Sequence, residues 1–386
     1  MMYSKLSFLV LSLSIFHLTF PLVFAFTIQG HSKKIHSLKK KATTPLPSTT
    51  QSTINIDTVT NNQGKNDIID PAGPSIELLN LAINDKITYS RITNDDDSHE
   101  RTFQVTKISS SPYIFLFQNL LSIKECQSLM NSNYSDNNGD NDANATRSSV
   151  HMSAAGVTEG HNNVRSNCEV GWIPNNHKGD NKDKPSLPLE LGRIVGNILM
   201  TDEAKMNGWC ESLQLVHYNS HGGRFDLHYD GLYRSITVIY YLNGVGNTWF
   251  PFAINASEKD RQSHVEKVLS TIEPPSNREE ALKVVSDLGL EPGKHGVLAA
   301  GKKSKVWEEI SGSNKNVIRV ETGDAIAFFN YKHDSGDSAV GVERDWRSLH
   351  AGLATTSEEG EKWIANHWIH HLPFSEDWAT LESAKR

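Results

Sequence analysis

The chain has 386 residues, of which 37% are hydrophobic and 22% charged, with a formal net charge of -7. That length and apolar share allow one large domain or two small ones, while the acidic balance excludes the broad basic surface that nucleic acid or an anionic bilayer requires. Three cysteines, Cys126, Cys168 and Cys210, share no C-x-x-C spacing, which argues against a zinc cluster and allows at most one internal disulfide.

In chain order, residues 6–26 form an apolar run behind Lys5 and predict a signal peptide over 1–25, although the run is also long enough for a signal anchor. His17 and Pro21 interrupt it. Lys33, Lys34, Lys39, Lys40 and Lys41 follow it against the single lysine ahead, which opposes a cytoplasmic N-terminus and favours a soluble lumenal form over membrane association. Residues 27–56 hold no Asp or Glu and ten Ser or Thr, a composition suited to a transit peptide or a disordered linker. With Phe26 at the expected cleavage point, this resembles the two-part plastid presequence of algae with complex plastids. Secretory entry to the endoplasmic reticulum lumen or the exterior is the expected route, a complex plastid or a signal-anchored ER/Golgi membrane the alternatives. Polar sequence continues to about residue 100, so 26–100 reads as a disordered or transit-like linker.

A folded domain is predicted over 101–375, with a tail at 376–386. TFQVTKI from Thr102 and YIFLFQ from Tyr113 read as strands, and Ser122 to Glu125 is a capping box opening a helix. Asn131 to Ala145 is an Asn/Asp/Gly-rich loop. Pro188 to Met200 carries Leu191, Ile194, Val195, Ile198 and Leu199 at helical spacing. Leu213–Tyr218 and Ser235–Leu242 are β-prone, the second buried on both faces by its composition. An insertion at 254–316 then holds a helix over Arg278–Leu290 and a Gly-rich stretch, Glu291 to Lys302, that lacks phosphate-loop spacing and reads as a loop; strand pattern resumes at Val317–Val320. Sequons at Asn133, Asn144 and Asn255 fit a secreted chain.

The chemistry-bearing residues are His228 and Asp230, two apart in the β-rich stretch, with His350 far downstream in RSLHAG. In an extended chain i and i+2 share a face, so the first two can converge on one ion. Two histidines and a carboxylate are the ligand set of a mononuclear non-haem Fe(II) site with open positions. A His-x-Asp pair alone is weak evidence, since the chain has 17 histidines.

The ordered set YIFLFQNLLSIKECQSLM, RSS at 147–149, LQLVHY, HYD, RSITVIYYLN, NTWFP, ETGDAIAFFN, RSLHAG and EKWIANHWIH resembles the catalytic domain of the prolyl 4-hydroxylase family of Fe(II)/2-oxoglutarate dioxygenases. The resemblance implies a mainly β fold, a double-stranded β-helix (jelly roll) with flanking helices. It implies that His228, Asp230 and His350 bind Fe(II), that Lys362 pairs with the distal carboxylate of 2-oxoglutarate, and that Tyr218, Thr237, Tyr241 and Trp368 line the cosubstrate pocket. It further implies O2 consumption, release of succinate and CO2, dependence on L-ascorbate, and 4-hydroxylation of a proline-containing peptide. Parity agrees: Thr237 with Tyr241, and Lys362 with Trp368, share strand faces. Tyr218, Tyr241 and Trp368 read equally as packing aromatics, and His217, His367, His370 and His371 as structural. Arg147 and Arg234 are candidates for peptide or cosubstrate contact, or are solvent-exposed.

Asn247 stands where this family usually has glycine, Leu353-Ala354 replaces Cys-Pro, His350 to Lys362 is two residues longer than usual, and the 254–316 insertion is atypical. These departures leave room for an acceptor other than proline, a different side chain or a small molecule. The remaining alternative is a jelly-roll module that retains a metal without turnover.

Overall fold

The computed structural model describes residues 54–55, 78, 81–92, 100–132, 153–154, 165–175, 186–199, 210–231, 234–254, 264–304, 316–332 and 344–370. The expected signal peptide, the three sequons, the tripeptide at 147–149, His371 and the C-terminal tail lie outside them. Among the described residues no helix is long and apolar enough to cross a membrane.

Sixteen strands are described: β1 (Ile54–Asn55), β2 (Lys86–Ile92), β3 (Glu100–Ser110), β4 (Tyr113–Gln118), β5 (Ser153–Ala154), β6 (Arg165–Ser166), β7 (Cys168–Ile173) and β8 (Leu213–Tyr218) in the first half. The second half adds β9 (Arg224–His228), β10 (Arg234–Tyr241), β11 (Asn247–Phe250), β12 (Val297–Gly301), β13 (Val317–Val320), β14 (Ala325–Phe329), β15 (His350–Gly352) and β16 (Lys362–His370). Four helices accompany them: α1 (Ile123–Asn131), α2 (Leu187–Leu199), α3 (His264–Leu269) and α4 (Arg278–Asp287). A ten-stranded sheet runs β1-β2-β3-β4-β14-β10-β16-β8-β7-β5, and a six-stranded sheet runs β13-β12-β11-β15-β9-β6. Pairing is antiparallel except for β1 with β2 and β12 with β13.

Side-chain alternation divides the core into layers. Along β10, Ile236, Val238 and Tyr240 join a cluster with Leu191, Val195 and Leu199 of α2 and with Cys126 and Leu129 of α1. Ile239 and Tyr241, one register over, join Phe250, Val297, Ala299 and Val320 of the smaller sheet. A strand buried on both faces needs the continuous apolar composition that RSITVIYY has. The outer face of the smaller sheet, with Trp249, Leu298 and Ala300, is covered by Leu269 of α3 and Ala281 of α4. The result is the expected double-stranded β-helix, two facing sheets with helices outside each.

The local signals act as their chemistry requires. Ser122 Oγ accepts from Glu125 N at 3.0 Å while Glu125 Oε2 accepts from Ser122 N at 2.7 Å, closing the capping box of α1. Helix α2 lies so close to the sheet that a Cβ on Gly192 would come within 2.8 Å of Cys210 Sγ. Cys126, Cys168 and Cys210 are buried free thiols.

Two expectations are corrected. The linker over 26–100 ends too late: KITYSRI is β2, pairs with β3 from Lys86↔Thr106 to Ile92↔Glu100, and buries Ile87, Tyr89 and Arg91. Its inward face includes an arginine, which breaks the apolar pattern. Arg91 is tolerated there because it donates to Leu120 O and Glu190 at 2.9 Å each and pairs with Glu125. The second correction falls inside 254–316. Val297–Gly301, expected to be loop, is β12, bonded on both edges by β11 and β13. Its small residues (VLAAG) carry little β-propensity, and burial of all five decides the matter. The insertion therefore shrinks to the β11–β12 and β12–β13 connections, the first carrying α3 and α4.

Candidate metal centre

Strand β9 delivers His228 at its last position, Asp230 follows just beyond the strand end, and β15 begins with His350, whose Cα pairs with that of His228. One ligand atom from each lies within 4.8 Å of the other two, all three residues being buried. The imidazole centroids are 4.2 Å apart, and His350 Nε2 is 3.9 Å from Asp230 Oδ2. His228 Nδ1 donates to Asp226 O at 2.7 Å and His350 Nδ1 donates to Ser348 O at 3.0 Å. A carbonyl only accepts, so each Nδ1 carries the proton and each Nε2 presents a lone pair.

Protonation favours the same state. Burial, with the neighbouring His350, holds His228 well below the usual imidazole range, and burial also lowers His350. Burial alone would raise the Asp230 carboxyl, but His350, His228, Arg234 and the Thr237 hydroxyl together bring it below its usual value. Two neutral imidazoles and one carboxylate, with no other protein ligand in the cluster among the described residues, suit a divalent first-row ion that keeps coordination positions open.

A small cavity, partly open to solvent, lies beside the triad. Tyr218, Thr237, Lys362 and Trp368 line it. Tyr241 shares their face yet does not line the cavity: it lies one layer behind, its hydroxyl donating to the cavity-lining Thr248 at 2.8 Å. Lys362, Ile364, Asn366 and Trp368 follow one another at every second position of β16. Lys362 is 0% exposed, and its ammonium donates to Asn247 O at 3.1 Å with no carboxylate in ion-pair range among the described residues. Burial pulls it down from 10.5 to about 8, partly offset by Glu359. The Lys362 stem runs against Gly246, where φ is +89° and a Cβ would sit 2.2 Å from Lys362 Cδ, so only glycine fits. The buried indole N–H of Trp368 has no acceptor among the described residues. A buried ammonium short of partners, on a residue that lines the cavity, fits an anionic, oxygen-rich ligand.

The remaining sequence candidates take structural positions. Arg234 is fixed to Glu211 (2.6 and 2.8 Å) and stacks over Trp368 at 3.8 Å, so it is held at the cavity edge and not free in solvent. His367 and His370 both bond to Glu211. His217 stacks on Trp363 outside the cavity and pairs with Glu169 and Glu361. Three further residues carry no spacing motif. Arg165 lies over the cavity-lining Phe225 at 4.1 Å and donates to Gln214, Arg344 donates to Asp230 O at 3.2 Å, and Asn330 donates to Thr237 Oγ1. ETGDAIAFFN ends on Asn330, the one signal that could have found it.

No family model matches the chain. In sequence it is 24% identical over 291 residues to "Probable prolyl 4-hydroxylase 7" of Arabidopsis thaliana, an alignment covering 70% of this chain and 66% of that protein. It is 27% identical over 289 residues to prolyl 4-hydroxylase 2 of the same plant, covering 69% and 70%. The chain thus spans about two thirds of the length of these relatives. Among solved structures, the 2-oxoglutarate complex of a viral collagen prolyl hydroxylase from Paramecium Bursaria Chlorella virus-1 overlaps 69% of this chain and 99% of its own, at 19% identity and a TM-score of 0.33. In sequence, then, the chain is similar, at 24–27% identity, to plant proteins named as prolyl 4-hydroxylases.

Proposed function

We propose that this chain is an Fe(II)- and 2-oxoglutarate-dependent dioxygenase that 4-hydroxylates peptidyl proline, releasing succinate and CO2. The observation that carries the reading is the buried His228/Asp230/His350 cluster beside a cavity lined by Lys362, whose buried ammonium has no carboxylate in ion-pair range among the described residues. Bound together, Fe(II) and 2-oxoglutarate supply oxidative decarboxylation of the keto acid coupled to O2-dependent hydroxylation of an unactivated C–H bond.

The chain's own contribution is binding and orientation. The Nε2 atoms of His228 and His350 and the Asp230 carboxylate would hold the ion at the wall of the cavity that they help to line. Lys362, buried at the cavity wall, would meet the distal carboxylate of the five-carbon diacid where little water competes, and so orient it. Tyr218 and Trp368 would exclude solvent around it, and L-ascorbate would be the required reductant. The apolar run at 6–26 supports entry to the secretory pathway, where proline-rich substrates would be met.

The full chain with Fe(II), 2-oxoglutarate, O2, ascorbate and a proline-rich peptide is expected to form succinate and hydroxyproline in equal amounts, and His350→Ala to form neither. Succinate without peptide hydroxylation, with 18O2 label in another acceptor, would replace proline as the substrate. No succinate under any condition would leave a non-catalytic module.

A further inference from the structure

Asn330 follows the last residue of β14 and is 2% exposed. Its Nδ2 donates to Thr237 Oγ1 at 2.8 Å and to Arg234 O at 3.0 Å, and the Thr237 hydroxyl in turn donates to Asp230 Oδ2. An amide N–H only donates and an ionised carboxylate only accepts, so the hydroxyl between them has a single orientation. The backbone of the same residue reaches toward the other ligand strand. Asn330 O accepts from Asp345 N at 2.9 Å. Asp345 caps the 3-10 turn Trp346–Ser348 by accepting from Arg347 N at 3.0 Å, and Ser348 O accepts from His350 Nδ1.

We infer that Asn330 is a positioning residue that holds the Asp230 carboxylate and the His350 imidazole in one fixed relation, so that metal affinity depends on a side chain outside the metal's reach. One route is through its side chain and Thr237, the other through its carbonyl and the turn before His350. Without the first, the carboxylate gains a rotational freedom that coordination must then remove. The inference rests on the metal reading of the triad and concerns what sets the geometry of that triad.

The experiment is titration of Co(II) into the full chain by calorimetry, with the visible Co(II) spectrum recorded in parallel and no 2-oxoglutarate present. Asn330→Leu keeps the volume and removes both side-chain donors. It is expected to weaken Co(II) binding roughly 10-fold or more and to alter the visible bands. Thr237→Val is expected to do the same, Thr237→Ser to retain tight binding, and the Asn330→Leu/Thr237→Val pair to lose little beyond either single change, because both break one relay. If the unaltered chain fails to bind Co(II), the metal reading itself falls. If the unaltered chain binds and Asn330→Leu binds with the same affinity and spectrum, or if the two changes add in full, the inference is overturned. Should Asn330→Leu not fold, Asn330→Ala decides by the same criteria.

Discussion

Replacing Lys362 with methionine should make the metal-free protein more stable while removing its cosubstrate affinity. The ammonium is 0% exposed and its pKa is brought from 10.5 to about 8 by burial, which corresponds to about 3 kcal/mol against the charged form. Methionine is similar in length and carries no charge. It forfeits the hydrogen bond to Asn247 O, a contribution of about 1 kcal/mol, but that carbonyl still accepts from Leu353 N and is not orphaned. The net expectation is a gain of about 2 kcal/mol at pH 7. The sign follows from proton counts. Below pH 8 the amine is charged in both states and the folded state bears the full penalty. Between pH 8 and 10.5 the unfolded chain binds more protons than the folded one, so stability of the unaltered protein rises with pH; above 10.5 both are neutral and the penalty is gone. Urea unfolding of metal-free protein at pH 7 and pH 10, followed by circular dichroism, should show Lys362→Met ahead at pH 7 and the gap closing at pH 10. With metal already present, added 2-oxoglutarate should stabilise the unaltered chain further and leave the metal-loaded variant unchanged. A variant less stable at pH 7, or a gap that does not shrink with pH, refutes the account of Lys362 as a cation held ready in an apolar site.

Gly246→Ala places a methyl in the Lys362 stem at a positive φ, and the KM for 2-oxoglutarate in the succinate assay should rise by roughly 10-fold or more with the fold retained; an unchanged KM would mean that the stem has room to move. Arg91→Met strands Glu125, which is 3% exposed, and should cost about 3–5 kcal/mol in urea unfolding. A cost below about 1 kcal/mol would make β2 an accessory strand. Ala299→Asp sets an unpaired carboxylate between the sheets at a 0% exposed position and should abolish soluble expression, whereas soluble, folded protein would contradict the placement of β12.

The clustering of His228, Asp230 and His350 was legible because the signal is local on each side: a period-two pair at the end of a strand, and a histidine opening a short strand. Residues acting through alternation, such as Lys362 with Trp368, were legible for the same reason. Tyr241 shows the limit of parity, which fixes a face but not a depth along the strand. β2 and β12 were missed because their identity is decided by partners far away in sequence. Arg91 is apolar-facing only because α1 and α2 bring it two glutamates, and VLAAG becomes a strand because β11 and β13 occupy both its edges. Asn330 and Arg344 escaped for a related reason: single polar residues next to loops carry no period, and only the assembled hydrogen bonds reveal what they hold.

The three thiols bear on the conditions under which this fold could operate. Burial raises Cys126 and Cys210 to about 12 and also raises Cys168, so almost no thiolate exists near neutrality to attack a disulfide or an oxidant. The scaffold draws none of its cohesion from covalent cross-links, and its three buried thiols are poor nucleophiles. Its stability should therefore be the same in a glutathione-rich interior as in an oxidising lumen, leaving the iron as the redox-responsive element of the proposed enzyme.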